Sequence, residues 1–254
     1  MSEIKGKKKI VIAGSSGYVG DEFVKSLLKA GEFDVIGISR SGRSNFEGEG
    51  YEVRKANLFS LKEAENAMSG GDIGVFLVHS MLPTDRLAQG NFKDFDYIIA
   101  DNFARTAKKY NFEKVIYLGG LMPDDSDLSD HLESRLEVEK ILGSYGIPCI
   151  TIRSGLILGA MGSSFQIMLK LVERLPVLVC PKWSDNETQA VSIEEVVEKL
   201  SEQLRVELSE SKVIQIGNPE ITSYKGLLKH IAKARNKKRL IFSLNLNAST
   251  FSKF

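Results

Sequence analysis

Three regularly spaced glycines are the residues of this chain whose pattern most clearly indicates a chemical task. They lie in the stretch Gly14–Gly20, between an apolar run that ends at Ala13 and a run of helical character. In such a strand–turn–helix, the first glycine takes the tight turn and the second lets a pyrophosphate approach the backbone. The third lets the helix pack closely on the strand, and the helix N-terminus supplies amide donors and a favourable dipole. We therefore predict a dinucleotide site at Gly14, Ser16, Gly17, Tyr18, Val19 and Gly20.

The spacing G-x-x-G-x-x-G separates this turn from two common phosphate-binding loops. It is not G-x-G-x-x-G, and no Gly-Lys-Ser/Thr closes it as in a Walker A loop. A glycine triplet alone is weak evidence, but its place at the first strand–helix turn of an alternating chain strengthens it. A structural turn without a ligand is the alternative.

The residues after the second predicted strand indicate which dinucleotide would bind. That strand ends in Ser39-Arg40-Ser41-Gly42-Arg43 and lacks there the acidic residue that holds the ribose hydroxyls of NAD. Arg40 can bind a 2′-phosphate bidentately, Ser39 can donate to it, and Arg43 lies in the same loop. The pattern favours NADP as the cofactor, with NAD possible; solvated loop arginines are the alternative.

Two more cofactor contacts are predicted at the ends of later strands. Asn57 and Leu58 follow the third predicted strand, where they would meet the adenine edge. His79, Ser80 and Met81 follow the fourth, where they would line the nicotinamide ribose side.

The elements that must position these residues alternate between strand and helix patterns. The predicted strands are Lys8–Ala13, Phe33–Ser39, Tyr51–Lys55, Ile73–Val78, Lys114–Leu118, Cys149–Arg153, Val177–Cys180 and Val213–Gly217. The predicted helices are Tyr18–Ala30, Leu61–Met68, Gln89–Tyr110, Ser129 or Asp130 to Tyr145, Ser163–Arg174, Ile193–Leu204 and Tyr224–Arg235.

This alternation predicts an α/β fold with a Rossmann-type doubly wound parallel sheet. The right-handed crossover rule favours the strand order 3-2-1-4-5-6, to which a later strand could add a seventh. We predict one domain over residues 1–254, in which residues 154–254 contribute a small C-terminal lobe on the substrate side.

The net charge and the composition argue against some classes of binding partner. The formal net charge of +1 gives no overall field that would recruit nucleic acid or an anionic membrane. No apolar run approaches the length of a membrane span, and no signal-peptide core follows the N-terminus. Cys149 and Cys180 lie in apolar contexts typical of buried free thiols, so we expect a reducing, cytoplasmic location. The histidines and cysteines are too far apart to indicate a metal site, and the oligomeric state is left open.

Taken together, these residues resemble the atypical branch of the short-chain dehydrogenase/reductase superfamily. The chain is most similar to its NmrA-like and YbjT-like NAD(P)-binding proteins, and the resemblance extends to about Arg239. YbjT-like proteins often continue further, so the resemblance leads us to expect that this chain is a short form or a fragment. Besides the glycine turn, the resemblance is carried by the segments 76–81, 102–104, 117–120, 131–135, 152–155 and 172–177.

The resemblance implies a Tyr-x-x-x-Lys pair on the helix after the fifth strand, where tyrosine moves the proton that accompanies hydride transfer. Tyr51…Lys55 and Tyr110…Lys114 have that spacing, but neither lies on that helix. The expected position holds His131-Leu132-Glu133-Ser134-Arg135, and Gly119-Gly120 replace the serine that polarises a carbonyl. We predict that His131 serves as the general acid and Arg135 binds ribose hydroxyls; an exposed, non-catalytic His131 is the alternative.

The sequence leaves several functions open. The first is an NADPH-dependent oxidoreductase acting on a small apolar carbonyl, quinone or similar electrophile. The second is a non-catalytic regulator or assembly factor that senses NADP(H), which the missing tyrosine and lysine favour. A nucleotide-sugar epimerase or dehydratase is third, because those reactions need the missing tyrosine.

Overall fold

Strands and helices alternate along the first part of the chain, as predicted. The computed structural model describes residues 6–44, 46, 48–78, 92–123 and 128–245. The strands are β1 (Lys9–Ala13), β2 (Asp34–Ser39), β3 (Tyr51–Lys55), β4 (Ile73–Phe76), β5 (Lys114–Gly120), β6 (Cys149–Ser154), β7 (Ile157–Leu158), β8 (Val177–Pro181), β9 (Glu187–Thr188), β10 (Val191–Ser192), β11 (Lys212–Ile216), β12 (Thr222–Ser223) and β13 (Leu240–Leu244). The helices are α1 (Tyr18–Ala30), α2 (Leu61–Met68), α3 (Phe92–Lys109), α4 (Asp130–Gly143), α5 (Ser163–Arg174), α6 (Ile193–Arg205) and α7 (Tyr224–Ala234), with a 3-10 turn at Lys182–Asp185.

The central sheet has the order β11-β6-β5-β4-β1-β2-β3, which confirms the predicted order and adds β11 as the seventh strand. The pairs β1–β2, β1–β4, β2–β3 and β4–β5 are parallel. Ile10, Val11 and Ile12 at its centre are fully buried, as expected for strands covered on both faces. The fold is therefore the predicted Rossmann-type α/β fold.

Helix boundaries follow from local chemistry. Gly31 ends α1 in the left-handed conformation (φ 67°), which glycine adopts without strain. Ser60, Ser129 and Ser223 begin α2, α4 and α7, and each serine hydroxyl accepts a hydrogen bond from a backbone N–H in the first turn. These signals explain why the predicted helices lie within a few residues of the observed ones.

The chain divides into two compact units, residues 1–153 with 197–215 and residues 154–196 with 216–254. In the first, side chains of α2, α3 and α4 pack with the sheet in one buried cluster. In the second, Met168 and Val172 of α5 share a core with Leu178 of β8 and with Leu227 and Leu228 of α7. Whether the second unit is a substrate-side lobe of a single domain stays a prediction.

Sequence patterns missed the short strands of the second unit. The strands β7, β9, β10 and β12 have two residues each, too few for any periodicity. The strand β13 (Leu240–Leu244) was also missed; it pairs in parallel with β8 in a separate two-stranded sheet. A five-residue run directly after a basic segment carries little strand signal of its own.

Candidate functional site

The turn after β1 needs glycine at its first position. Gly14 has φ 89°, a conformation that other residues rarely adopt. A Cβ atom there would lie 3.0 Å from the carbonyl carbon of Leu77, in the segment after β4. The amide of Gly14 donates to the carbonyl of Ile38 at 3.3 Å, so this turn also contacts the end of β2. The tight turn predicted for Gly14 is confirmed.

Packing explains Gly20 but not Gly17. A Cβ atom on Gly20 would collide with the Gly14 carbonyl oxygen and lie 2.9 Å from the Ser15 Cα, so the helix could not pack on the turn. Gly17 has an ordinary extended conformation (φ −78°), and its Cβ would lie 3.3 Å from the Gly14 oxygen. That contact requires only a small adjustment. The protein's own packing therefore accounts for two of the three glycines.

The N-terminus of α1 also differs from those of several other helices. Gly17 precedes it and provides no side-chain cap, whereas α2, α4 and α7 are capped by serine hydroxyls. The first amide groups of a helix have no partner within the helix. The start of α1 therefore presents backbone donors and the positive end of a dipole to an anion.

A cleft opens beside this turn, between the start of α1 and the loop after β2. Serine hydroxyls and one guanidinium dominate its polar lining, and two aromatic rings form part of its wall. Phe46 and Tyr51 pack edge to face, with ring centroids 6.2 Å apart. The lining residues are Ser15, Ser16, Asp21, Ser41, Arg43, Ser44, Phe46 and Tyr51.

The structure divides the predicted phosphate-binding residues into two groups. Arg40 and Arg43 are both exposed, and of the two only Arg43 lines the cleft. Ser39 is buried, and its hydroxyl donates to the Arg43 carbonyl at 3.3 Å. Ser39 therefore shapes the loop that carries Arg43. Its contact with a ligand, like that of Arg40, stays a prediction.

Sequence reasoning missed the part that Ser15 and Tyr51 play in the cleft. The Ser15 hydroxyl donates to the Ile38 carbonyl at 3.3 Å and fastens the turn to β2. A Cβ atom on Gly37 would lie 2.7 Å from both this hydroxyl and that of Tyr51. The glycine in the middle of a buried strand was the available signal, since such a glycine often marks a close approach.

The predicted adenine contacts are tied to the protein itself. The Asn57 carboxamide oxygen accepts from the Phe59 amide at 3.2 Å, and the Asn57 amide donates to Glu63 at 2.8 Å. Leu58 is 7% exposed and belongs to the core. Asn102 donates to the Leu58 carbonyl at 2.9 Å and so fixes this loop from α3. His79, Ser80 and Met81 lie outside the described residues.

Side chains of α4 pack against the end of β5. The strand extends to Gly120, and a Cβ atom there would lie 3.2 Å from Leu132 Cδ2. Arg135 donates from Nη1 to the Leu118 carbonyl at 3.4 Å. Its Nε is buried and finds no hydrogen-bond partner within the part of the chain that the structure describes. Arg135 thus leaves one buried donor beside the end of β5.

His131 lies one helical turn before Arg135, and much of its side chain is exposed. Partial burial of the imidazole and, next, the Arg135 guanidinium lower the pKa of His131, while Asp96 acts in the opposite direction. The neutral imidazole therefore predominates at neutral pH. Its catalytic role stays a prediction.

Neither of the two Tyr…Lys spacings in the sequence forms a catalytic pair on α4. Tyr51 and Lys55 lie on β3, and Tyr110 follows α3 while Lys114 begins β5. Burial lowers the pKa of Lys114, whose ammonium group donates to the carbonyls of Leu204 (2.9 Å) and Val206 at the end of α6. Lys114 therefore has a structural role and is not part of a catalytic Tyr–Lys pair.

Arg153, the two cysteines and Trp183 have contacts within the protein itself. Arg153 pairs with Glu139 through two hydrogen bonds of 2.9 and 3.0 Å. Cys149 and Cys180 are buried free thiols, as predicted, and burial raises the pKa of Cys149 to about 12. Trp183 is 58% exposed and packs edge to face on Tyr224.

Comparison with known proteins agrees with this fold. No family model matches the chain. It is 27% identical over 145 residues to the auxiliary protein GraX of Staphylococcus aureus, an alignment that spans 57% of this chain and only 43% of GraX. It is 26% identical over 168 residues to the mitochondrial protein FMP52 of Debaryomyces hansenii, covering 64% of this chain and 73% of FMP52.

Solved structures extend the similarity over nearly the whole chain. MoeE5 in complex with UDP-glucuronic acid and NAD matches with a TM-score of 0.77 at 16% identity, covering 94% of this chain and 86% of MoeE5. Thermus thermophilus UDP-glucose 4-epimerase in complex with NAD matches with a TM-score of 0.71 at 17% identity, covering 92% and 85%. Bordetella bronchiseptica WbmG in complex with NAD matches with a TM-score of 0.76 at 14% identity, covering 99% and 89%. The chain therefore shares the fold of these proteins.

Proposed function

We propose that the chain binds a nicotinamide dinucleotide, with its pyrophosphate at the turn between β1 and α1. The observation that carries this proposal is the contrast among the three glycines: packing requires Gly14 and Gly20, but not Gly17. Because Gly17 has no side chain, a ligand can approach the backbone there. The uncapped start of α1 supplies donors at the same place.

NADP(H) is the proposed form of the cofactor. Ser16, Ser41, Arg43 and Ser44 place three hydroxyls and a guanidinium along one cleft, a donor set suited to a phosphomonoester. Asp21 is the acidic residue in the same lining; Lys25, 3.6 Å away, neutralises it only in part, because the same ammonium group pairs with Glu22 at 2.8 Å. An acidic residue at the end of β2, which would favour NAD, is replaced there by Ser39 and Arg40.

The activity we propose is that of an atypical short-chain dehydrogenase/reductase on a small apolar carbonyl, quinone or similar electrophile. The bound dinucleotide supplies the hydride chemistry. In its protonated form, which the lowered pKa makes the minor one at neutral pH, His131 gives a ring-nitrogen proton to the substrate oxygen, in place of the usual tyrosine. Arg135 positions ribose hydroxyls, because its buried Nε is a donor without a partner among the described residues. Nucleotide-sugar epimerisation is not proposed, because α4 lacks the tyrosine that this chemistry needs.

A second candidate is a non-catalytic sensor of NADP(H). The observation that favours it is the closed turn after β5, where Leu132 approaches Gly120 and Arg135 bonds to the strand. No hydroxyl replaces the missing serine at Gly119 or Gly120. A protein that only senses the cofactor needs no proton-transfer group there.

Turnover separates the two candidates. We expect the chain to oxidise NADPH in the presence of at least one member of a panel of quinones, aldehydes and azo dyes. If the chain binds NADPH but oxidises it with none of them, the oxidoreductase proposal fails and the sensor proposal replaces it. A location in the cytoplasm stays a prediction that the buried free thiols support.

A further inference from the structure

The helix α5 exposes an apolar stripe beside its buried face. Met168 and Val172 face the core of the second unit. Next to them around the helix, Ile167 is 58% exposed and Leu171 is 37% exposed, and Leu175, just past the end of the helix, is 43% exposed. Their spacing of four residues aligns them along one face. Three large aliphatic residues in one exposed line indicate a contact surface.

Basic residues surround this stripe. Lys170 and Arg174 lie on the exposed side of α5, and Lys229 and Lys233 lie one turn apart on the exposed side of α7. None of the four forms an ion pair with another described residue. The acidic residue of this part of α5 is Glu173, which Arg235 neutralises at 2.5 Å.

The helices α5 and α7 pack on the same core. Leu227 and Leu228 of α7 pack with Met168 and Val172 of α5 in one cluster, and the two helices contact each other, so we treat their exposed residues together as one surface. Residues 224–239 contain seven basic residues and no acidic one. The net charge of +1 for the whole chain conceals this local excess. We call this surface, formed by Ile167, Leu171, Leu175, Lys170, Arg174, Lys229 and Lys233, the α5–α7 face.

We propose that the α5–α7 face binds the surface of an anionic lipid bilayer. Aliphatic side chains that enter the interface and cations that meet the headgroup phosphates are the two contributions to peripheral membrane binding. The contact would be peripheral, since no helix of the described residues is long and apolar enough to cross a bilayer.

The same residues argue against two other occupants. A second copy docked through this face by a two-fold axis would place its cations against those of the first, and like charges repel. A single-stranded nucleic acid would find aliphatic side chains where base stacking needs aromatic ones. Arg235 and Arg239, which could recognise individual phosphates, are engaged with Glu173 and with the Val172 carbonyl (2.6 Å). The aliphatic and basic residues of the α5–α7 face are therefore complementary to an extended anionic surface with an apolar interior.

Co-sedimentation of the full chain with vesicles tests this proposal. We expect binding to phosphatidylcholine vesicles that contain about 30% phosphatidylserine, and little to phosphatidylcholine alone, because each lysine near an anionic surface contributes about 1 kcal/mol. The double variant Lys229→Gln/Lys233→Gln should then bind about 30-fold more weakly. Lys29→Gln/Lys62→Gln, at exposed positions of the first unit, should bind like the parent.

A second pair of variants, one in the apolar stripe and one outside it, tests the contribution of the aliphatic side chains. Ile167→Ser should weaken vesicle binding by about tenfold, since it removes aliphatic surface from the interface. Ile221→Ser, at a position with nearly the same exposure (57%), should not. Equal binding to both vesicle types, or equal loss in the test and control variants, would overturn the proposal. So would sedimentation showing that the stripe mediates self-association, or binding to a single-stranded oligonucleotide that the vesicles do not displace.

Discussion

The ends of β1 and β5 both carry glycines, and the two strands belong to the same sheet. After β1, the turn itself occupies the space beside Gly20, a Cβ atom on Gly17 would lie 3.3 Å from the Gly14 oxygen, and α1 begins without a side-chain cap. At the end of β5, a Cβ atom on Gly120 would lie 3.2 Å from Leu132 Cδ2, Arg135 bonds to the Leu118 carbonyl, and Ser129 caps α4. The neighbour of Gly17 is the backbone of its own turn, whereas the neighbour of Gly120 is a side chain of α4.

This difference shows that a glycine at a strand–helix turn has two physical meanings. It can allow a ligand to approach the backbone, or it can allow another part of the protein to do so. The turn after β1 has the first property at Gly17, and the turn after β5 has the second at Gly120. We therefore expect substitutions in the two turns to separate binding from stability.

The largest expected effect concerns His131, the proposed general acid on α4. If His131 is the general acid, His131→Phe should lower turnover of an identified substrate by about 10²–10⁴-fold without changing the affinity for NADPH. Because burial and Arg135 hold the pKa of His131 below its usual value of 6.5, turnover in the parent should fall as the pH rises through that lowered pKa. Steady-state kinetics across the pH range measures both.

His230→Phe, at an exposed position on α7, is the matched control and should leave turnover unchanged. Turnover that His131→Phe does not reduce would remove the catalytic role and leave the turn after β5 without a proton donor.

The next effect contrasts the two glycines directly. Gly17→Val should weaken NADPH binding by at least about 100-fold, since a branched side chain blocks the pyrophosphate from the backbone; it should also cost some stability, because valine is a poor N-cap and its Cβ would lie 3.3 Å from the Gly14 oxygen. Gly120→Val should lose about 1–3 kcal/mol of stability through overpacking against Leu132 and keep its affinity for NADPH. Calorimetric titration and urea unfolding measure the two quantities. If both variants lose stability alike and neither loses affinity, the distinction between the turns is wrong.

A smaller effect identifies the residue that selects the phosphate. Both arginines are exposed, but Arg43 lines the cleft and Arg40 does not, so Arg43→Ala should weaken NADPH binding by about 10- to 100-fold, the loss of a charge-assisted hydrogen bond. NADH binding should change little in the same variant. Arg40→Ala should have the weaker effect on NADPH. A larger loss in Arg40→Ala would return the phosphate contact to the residue that the sequence favours.

Much of the fold was predictable, because its signals are local and strong. The buried apolar runs of β1 and β4 and the glycine at the end of α1 define strands, helices and their order. From this alternation of strands and helices, the right-handed crossover rule then predicts the order of the strands in the sheet. The two-residue strands of the second unit carry no such signal, because their conformation depends on partners distant in sequence.

The site was predictable only in part, for the same reason. The spacing of Gly14, Gly17 and Gly20 indicates a ligand turn, but the sequence does not show which glycine the protein itself fills. Choosing Arg43 over Arg40 requires the path of the loop, which the hydrogen bond from buried Ser39 sets. The closure of the turn after β5 depends on how near α4 lies to Gly120, a distance that no motif contains.

Titration of the unmodified chain with NADPH and with NADH, by calorimetry at one salt concentration, tests the central claim most directly. The account predicts that NADPH binds with at least about tenfold higher affinity, because the hydroxyls and the guanidinium of the cleft meet a charge that only NADPH carries. Equal affinities would contradict the assignment of the cleft to the 2′-phosphate. No binding of either dinucleotide would contradict the account of the turn after β1 as a ligand site.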